Sequence, residues 1–320
     1  MINIHIYMTL PINIEEMSEY NGDSRLYVET RLENWDDIFK LYNRFLMAFV
    51  FRGHGSEKWA MTSSLERMVK RFHPNSIIDS ANGYEEDALK EFKWKYPSYE
   101  KINIPADIEV IEWLSIMQHY GTPTRMVDFS YSLYVALFMA MDSLVEGEDS
   151  AVWCLNQLVC REVFFKDKYE LKRGCRDKDD MDCCIYKEAN DVLREIPDNP
   201  KMNREKGVFL VKPNRVNERI VRQQGLFAIQ SDPNSTFEDN LFSIAGNREA
   251  VVKPFSEIIA YSNSYHTGKP NDFALIKIVI PKEFRWDIFM SLEQMNITAE
   301  TMYPGLEGLA RSMNRQRYKL

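Results

Sequence analysis

Residues 131–144 carry Leu133, Val135, Ala136, Leu137, Phe138, Met139, Ala140 and Met141 almost without a polar break. A helix that is apolar all round has no face to offer water, so it must be buried and the rest of the chain must wrap it. Just before it lies Gln118-His119-Tyr120-Gly121-Thr122-Pro123-Thr124-Arg125-Met126-Val127-Asp128. These eleven residues bring a carboxamide, an imidazole, a phenol, two threonine hydroxyls, a guanidinium and a carboxylate against a buried element. Buried polar groups cost free energy unless each finds a partner. The stretch therefore satisfies itself or waits for a ligand.

The 320 residues are 45% hydrophobic and 12% aromatic, which supports a sizeable core. A formal charge of −8 argues against non-specific coating of duplex DNA, which needs a basic face. Arg315, Arg317 and Lys319 read as a solvated basic tail. No run of eighteen apolar residues is present, so no membrane span is expected. The opening residues lack a secretory pattern, and the expected location is cytoplasmic. Cys175, Cys183 and Cys184 lie near Asp177, Asp179, Asp180 and Asp182, but without CxxC spacing or a nearby His. With Cys154 and Cys160 they read as free thiols, and no metal is expected.

The periodicities predict an irregular alternation of helices and short strands, hence an α+β domain with a mixed or antiparallel sheet around the buried central helix. Strands are expected at 2–10, 48–51, 124–129, 151–155, 208–211, 226–230 and 273–280. Helices are expected at 34–46 with Asn34 as cap, and at 64–72, 84–95, 108–119, 131–144, 216–222 and 281–295. A short final helix follows 299–309. Gly121 sits where a left-handed stop belongs, and Asp128 or Ser130 can cap the central helix. Residues 160–200 are charged and read as irregular, and 231–240 read as loop.

Several residue types suit phosphate and ribose chemistry. Arg52 ends a buried strand in Phe51-Arg52-Gly53, and Gly53 would let the backbone approach a ligand. Arg52 and Arg125 could clamp a diphosphate. His119 has the pKa of a general acid or base. Tyr120 could stack on a base, and Asp128 could bind ribose hydroxyls or act as base. Each also has a plain structural use. Arg125 and Asp128 could pair, His119 or Asp128 could cap a helix, and Gln118 or Gln224 could satisfy buried backbone. For the set, convergence on one ligand is the better account. No Walker loop, Gly-x-Ser-x-Gly, His-Glu-x-x-His or Rossmann glycine pattern is present.

Taken together, Phe51-Arg52-Gly53, Trp59, Ser64-Leu65, residues 118–129 and Ala136-Leu137-Phe138-Met139-Ala140 resemble the FRG domain family, a bacterial family named for the tripeptide. Gln223-Gln224-Gly225-Leu226-Phe227 and Tyr303-Pro304-Gly305-Leu306-Glu307-Gly308 look like further elements of it. The resemblance implies an N-terminal extension over 1–33 and an FRG domain over 34–320, with a charged insertion around 160–205. A second resemblance is to diphtheria-toxin-like ADP-ribosyltransferases. It implies an ADP-ribosyltransferase-like core, with Arg52 and Gly53 placing NAD and hydroxyl residues from Thr124 onward before the helix over the pocket. Gln223 and Gln224 stand where that family carries its Glu, although no Glu lies within Gln223–Gln230.

The expected function is thus an NAD-binding, ADP-ribosyltransferase-like bacterial toxin or phage-defence effector. The residue chemistry and the resemblance together give His119, Arg125, Asp128 and Gln224 as the expected reaction residues and Arg52, Gly53, Tyr120, Thr124 and Gln223 as the expected NAD contacts. The acceptor would be a protein or a nucleic acid. The alternatives are a non-catalytic nucleotide sensor using the same pocket, and a nuclease.

Overall fold

A computed structural model of the chain describes residues 25–101, 104–165, 178–196, 199, 204–264 and 272–313. The strand expected at 2–10, the basic tail and Cys175 lie outside them. The strands are β1 (Leu26–Arg31), β2 (Phe49–His54), β3 (Val127–Ser130), β4 (Ser150–Asn156), β5 (Val208–Val211), β6 (Gly225–Gln230), β7 (Val251–Val252) and β8 (Phe273–Ile280). They form one mixed sheet in the order β5-β6-β3-β2-β4-β8-β1-β7. β1 runs parallel to β8 and β7, and every other neighbouring pair is antiparallel.

Thirteen α-helices surround the sheet among the described residues. In chain order they are α1 (Asn43–Leu46), α2 (Ser64–Phe72), α3 (Ile77–Lys95), α4 (Val110–His119), α5 (Leu133–Asp142), α6 (Gln157–Phe165), α7 (Lys178–Glu195), α8 (Glu218–Arg222), α9 (Phe237–Phe242), α10 (Phe255–Ser264), α11 (Arg285–Gln294), α12 (Ala299–Met302) and α13 (Gly305–Ser312). The molecule is a single α+β domain, as the sequence pattern predicts. No helix among the described residues is long and apolar enough to cross a membrane.

The all-apolar segment becomes α5, buried over Leu133, Val135, Ala136, Leu137, Phe138, Ala140 and Met141. It packs on β2, with Phe49 and Phe51 in the same cluster as Ile276, Ile278, Ile288 and Phe289. A second core, under β5 and β6, joins Ile111, Leu114 and Met117 of α4 to Met181, Ile185, Ala189 and Val192 of α7. The third core lies against Val50, Val127, Trp153, Leu226, Phe237 and Leu241. The cap of α5 is Ser132, whose Oγ accepts the Val135 N–H, not Asp128 or Ser130. Ser130 Oγ instead accepts the Ser132 N–H and donates to the Gln223 carbonyl.

Other expectations also shift. The helix expected at 34–46 splits into a 3-10 turn, Asp37–Lys40, and α1, because Leu41 is extended. The Asn34 side chain donates to the Asp37 carboxylate and caps nothing. The charged segment 160–200 is not irregular where described: α6 and α7 occupy it. Met181, Ile185, Ala189, Val192 and Ile196 recur every three or four residues and are buried. The loop expected at 231–240 contains the start of α9, capped by Thr236.

Candidate active site

β2 and β3 share one residue pair, Phe51 with Ser130, although each is fully laddered on its other side. A cavity of about 280 Å³ lies where the ladder fails. Along β2, Phe51 faces α5 and Arg52 faces away, as strand alternation requires. The Arg52 side chain bridges the gap: Nη1 donates to the Asp128 carbonyl oxygen at 2.7 Å. Nε donates to His54 Nε2 at 3.2 Å. Neither acceptor is a carboxylate, and Arg52 makes no ion pair among the described residues. Burial lowers its pKa, against the attraction of Asp128.

The glycine of the tripeptide serves packing. A Cβ on Gly53 would lie 2.0 Å from the Ala136 carbonyl oxygen and 2.5 Å from the Ala140 nitrogen. One on Gly55 would lie 1.8 Å from the Ser143 carbonyl oxygen. Real side chains never come so close to backbone, so both glycines let β2 and its extension lie against α5. Gly53 still forms part of the cavity wall.

α4 delivers the opposite wall. It ends at His119, and Gly121 adopts the left-handed φ of 91° expected of a helix stop. That stop leaves Gln118 and His119 at the cavity. Thr124 Oγ1 donates to Gln118 Oε1, and Gln118 Nε2 donates to Asp128 Oδ1 at 2.7 Å. Gln118 and the exposed Asp128 carboxylate are thereby fixed. His119, although exposed at its outer edge, is held below the usual histidine pKa by partial desolvation and the positive charge of Arg219, with Glu307 opposing. It is therefore neutral near pH 7 and able to accept a proton.

The remaining wall comes from distant segments. α8 contributes Arg219, Ile220 and, beyond its end, Gln223; the stretch before α13 contributes Tyr303. Gln223 Nε2 donates to the Met302 carbonyl at 3.2 Å. Tyr303 donates to Asp142 Oδ2 at 2.7 Å, and Arg311 Nη1 donates to the same oxygen at 2.7 Å. The guanidiniums of Arg219 and Arg311 lie 5.0 and 4.1 Å from the Tyr303 ring centre. Asp142 is thus neutralised by Arg311, whereas Arg219 has no carboxylate partner among the described residues.

The cavity therefore gathers Arg52, Gly53, His119, Asp128 and Gln223 from the expected set. Four expected residues do not line it. Arg125 is buried in an ion pair with Glu85, not paired with Asp128, and its Nη2 donates to Asn82 Oδ1 at 3.0 Å. Thr124 is buried and spends its hydroxyl on Gln118. Tyr120 is 74% exposed, pointing to solvent. Gln224 takes a left-handed φ of 48° to make the turn into β6, with its carbonyl accepting the Tyr131 N–H. Sequence reasoning missed Arg219, Asp142 and His54, and took Tyr303 only as part of a family element, not as a wall of the site. Arg219 reads as an ordinary surface residue of a short helix, and nothing local distinguishes it.

Residues 47–149 match the sequence model of the FRG domain. The chain contains an FRG domain. The match runs from just before β2 to just before β4, so it includes Arg52, Gly53, α4, the 118–128 motif and α5. The FRG domain match does not extend to Arg219, Gln223 or Tyr303, which close the same cavity. No curated protein and no solved structure matches the chain.

Proposed function

We propose that the cleft binds a nucleotide of the NAD class and that the protein is an ADP-ribosyltransferase-like enzyme. The observation that carries this reading is the pair of guanidiniums, Arg52 and Arg219, at one cavity with no carboxylate partner among the described residues. A guanidinium at a cavity wall without a counter-ion is a strong anion receptor. The diphosphate clamp expected of Arg52 and Arg125 thus passes to Arg52 and Arg219. At about 280 Å³ the cavity falls just below the usual range of ligand sites, roughly 300–1,000 Å³. That suits one half of a dinucleotide, with the remainder reaching out of the cleft.

In this reading Asp128 takes the role of the carboxylate missing from Gln223–Gln230. Its Oδ1 is held by Gln118, and Oδ2 makes no hydrogen bond among the described residues. It would face the ribose and stabilise the positive charge that develops as the bond from C1′ to nicotinamide breaks. The acceptor oxygen or nitrogen bonds to C1′, nicotinamide leaves, and neutral His119 takes the acceptor's proton. Loss of cellular NAD or modification of a target would account for a toxin or phage-defence role.

The test is incubation with labelled NAD and candidate protein and nucleic-acid acceptors, beside direct NAD binding. Arg52→Ala and Arg219→Ala should each weaken binding about tenfold or more, the loss of a charge-assisted contact, and abolish label transfer. Wild-type behaviour in both variants sinks the reading. Binding without turnover favours the sensor, which the commitment of Gln223 to Met302 supports. Chelator-sensitive cleavage of nucleic acid in the same assay indicates the nuclease.

A further inference from the structure

A second cavity, of about 170 Å³, adjoins the first and shares Arg52, Gln118 and Asp128 with it. Those three residues form a partition fixed by the bonds from Gln118 to Asp128 and from Arg52 to the Asp128 carbonyl. The far side is built from the start of α2 and the turn after α4: Thr62, Arg67 and Thr122 stand there.

Most described arginines are held in ion pairs, among them Arg25, Arg125, Arg161, Arg204 and Arg222. Arg67 is not. Its Nη1 donates to the Thr62 carbonyl at 2.6 Å, which aims the guanidinium without neutralising it. Asp128 attracts it from beyond ion-pair distance, as it does Arg52. The hydroxyls of Thr62 and Thr122 make no hydrogen bond among the described residues. The hydroxyls of Ser63 and Ser64, by contrast, are spent on the Glu66 N–H and the Thr124 backbone. Two unspent hydroxyls, one unpaired guanidinium and a second guanidinium at the partition make a small cavity with surplus donors and positive charge.

We infer that this second cavity is a phosphate-binding subsite, with Arg67 as its charged anchor and Thr62 and Thr122 as hydroxyl donors. It takes a phosphoryl group: a phosphate of the nucleotide that occupies the first cleft, passing over the partition, or a phosphate on a separate molecule. The subsite adjoins the proposed NAD cleft, but its test does not need that nucleotide.

Inorganic phosphate and pyrophosphate are titrated into the intact protein by calorimetry. Arg67→Gln should weaken binding about tenfold or more, as loss of a charge-assisted contact does. Arg71→Gln, one turn along α2 and outside both cavities, should change it by less than about twofold. Thr122→Val keeps the charge and should weaken binding about fivefold. Adding ADP-ribose separates the sources: displacement of phosphate assigns the group to the nucleotide, and simultaneous binding assigns it to a second molecule, and either supports the subsite. The inference is overturned if wild type binds neither anion, or if Arg67→Gln and Arg71→Gln lose affinity equally, which is general charge attraction. NAD affinity insensitive to Arg52 and Arg219 would remove the proposed function and leave this result standing.

Discussion

His54 decides how Arg52 is held. Its Nε2 accepts the Arg52 Nε proton, so the ring is neutral with its own proton on Nδ1. It is 4% exposed and packs edge-on to Trp153. Burial, with the positive charge of Arg52 beside it, depresses its pKa to about 3. Above about pH 6.5 the ring is neutral in both folded and unfolded chains, so its contribution is fully present. As pH falls below that value the unfolded chain takes up a proton that the fold refuses, and stability drops until about pH 3. The slope is at most about 1.4 kcal/mol per pH unit. Between pH 7 and pH 5 wild type should therefore lose about 2 kcal/mol relative to His54→Gln. Urea midpoints at the two pH values measure this. Parallel curves for the two proteins would show that His54 is not held neutral.

At the level of elements, the two arginines expected to act together have separate tasks. Arg125 ties the start of β3 to α3: its N–H donates to Glu85 Oε1 at 2.8 Å and its Nε to the other carboxylate oxygen. The pair is almost wholly buried, with side chains 4% and 6% exposed. Removing one partner of such a pair costs about 3–5 kcal/mol, because the other is left as a buried charge. Arg125→Met should lose that much stability in a denaturant melt while its folded fraction binds ligand like wild type. Arg219→Ala should do the reverse, with a near-normal melt and weakened binding. If Arg125→Met instead melts normally and loses the ligand, the ion pair is not the purpose of that residue. The motif showed that these polar groups were needed, but not which of them face inward. Their partners, Glu85 for Arg125 and Tyr303 for Arg219, come from segments tens of residues away. Periodicity was a better guide to elements: α2 and β8 fall where the pattern puts them. α7 was equally legible in its apolar spacing, but its density of Asp and Lys hid it.

Across the whole molecule, the FRG match and the sheet do not coincide. Residues 47–149 supply β2 and β3, which touch at a single pair. The strands that ladder them, β4 and β6, and the strand β8 beyond β4 all come from later in the chain. A fragment limited to 47–149 would leave both strands with unpaired backbone groups and α5 without the β8 and α11 residues in its core. Each unmet buried backbone group carries a desolvation cost, and exposed edges of this kind favour aggregation. The fragment should therefore lack a cooperative thermal transition and protected amides, whereas the full chain should show both. A folded, cooperative 47–149 fragment would mean that the motif is a self-sufficient unit and that Arg219, Gln223 and Tyr303 are later additions to a complete site. Failure to fold would place those three residues within the minimal architecture, because the same crossover that returns β6 beside β3 carries α8 and its arginine to the mouth of the cleft.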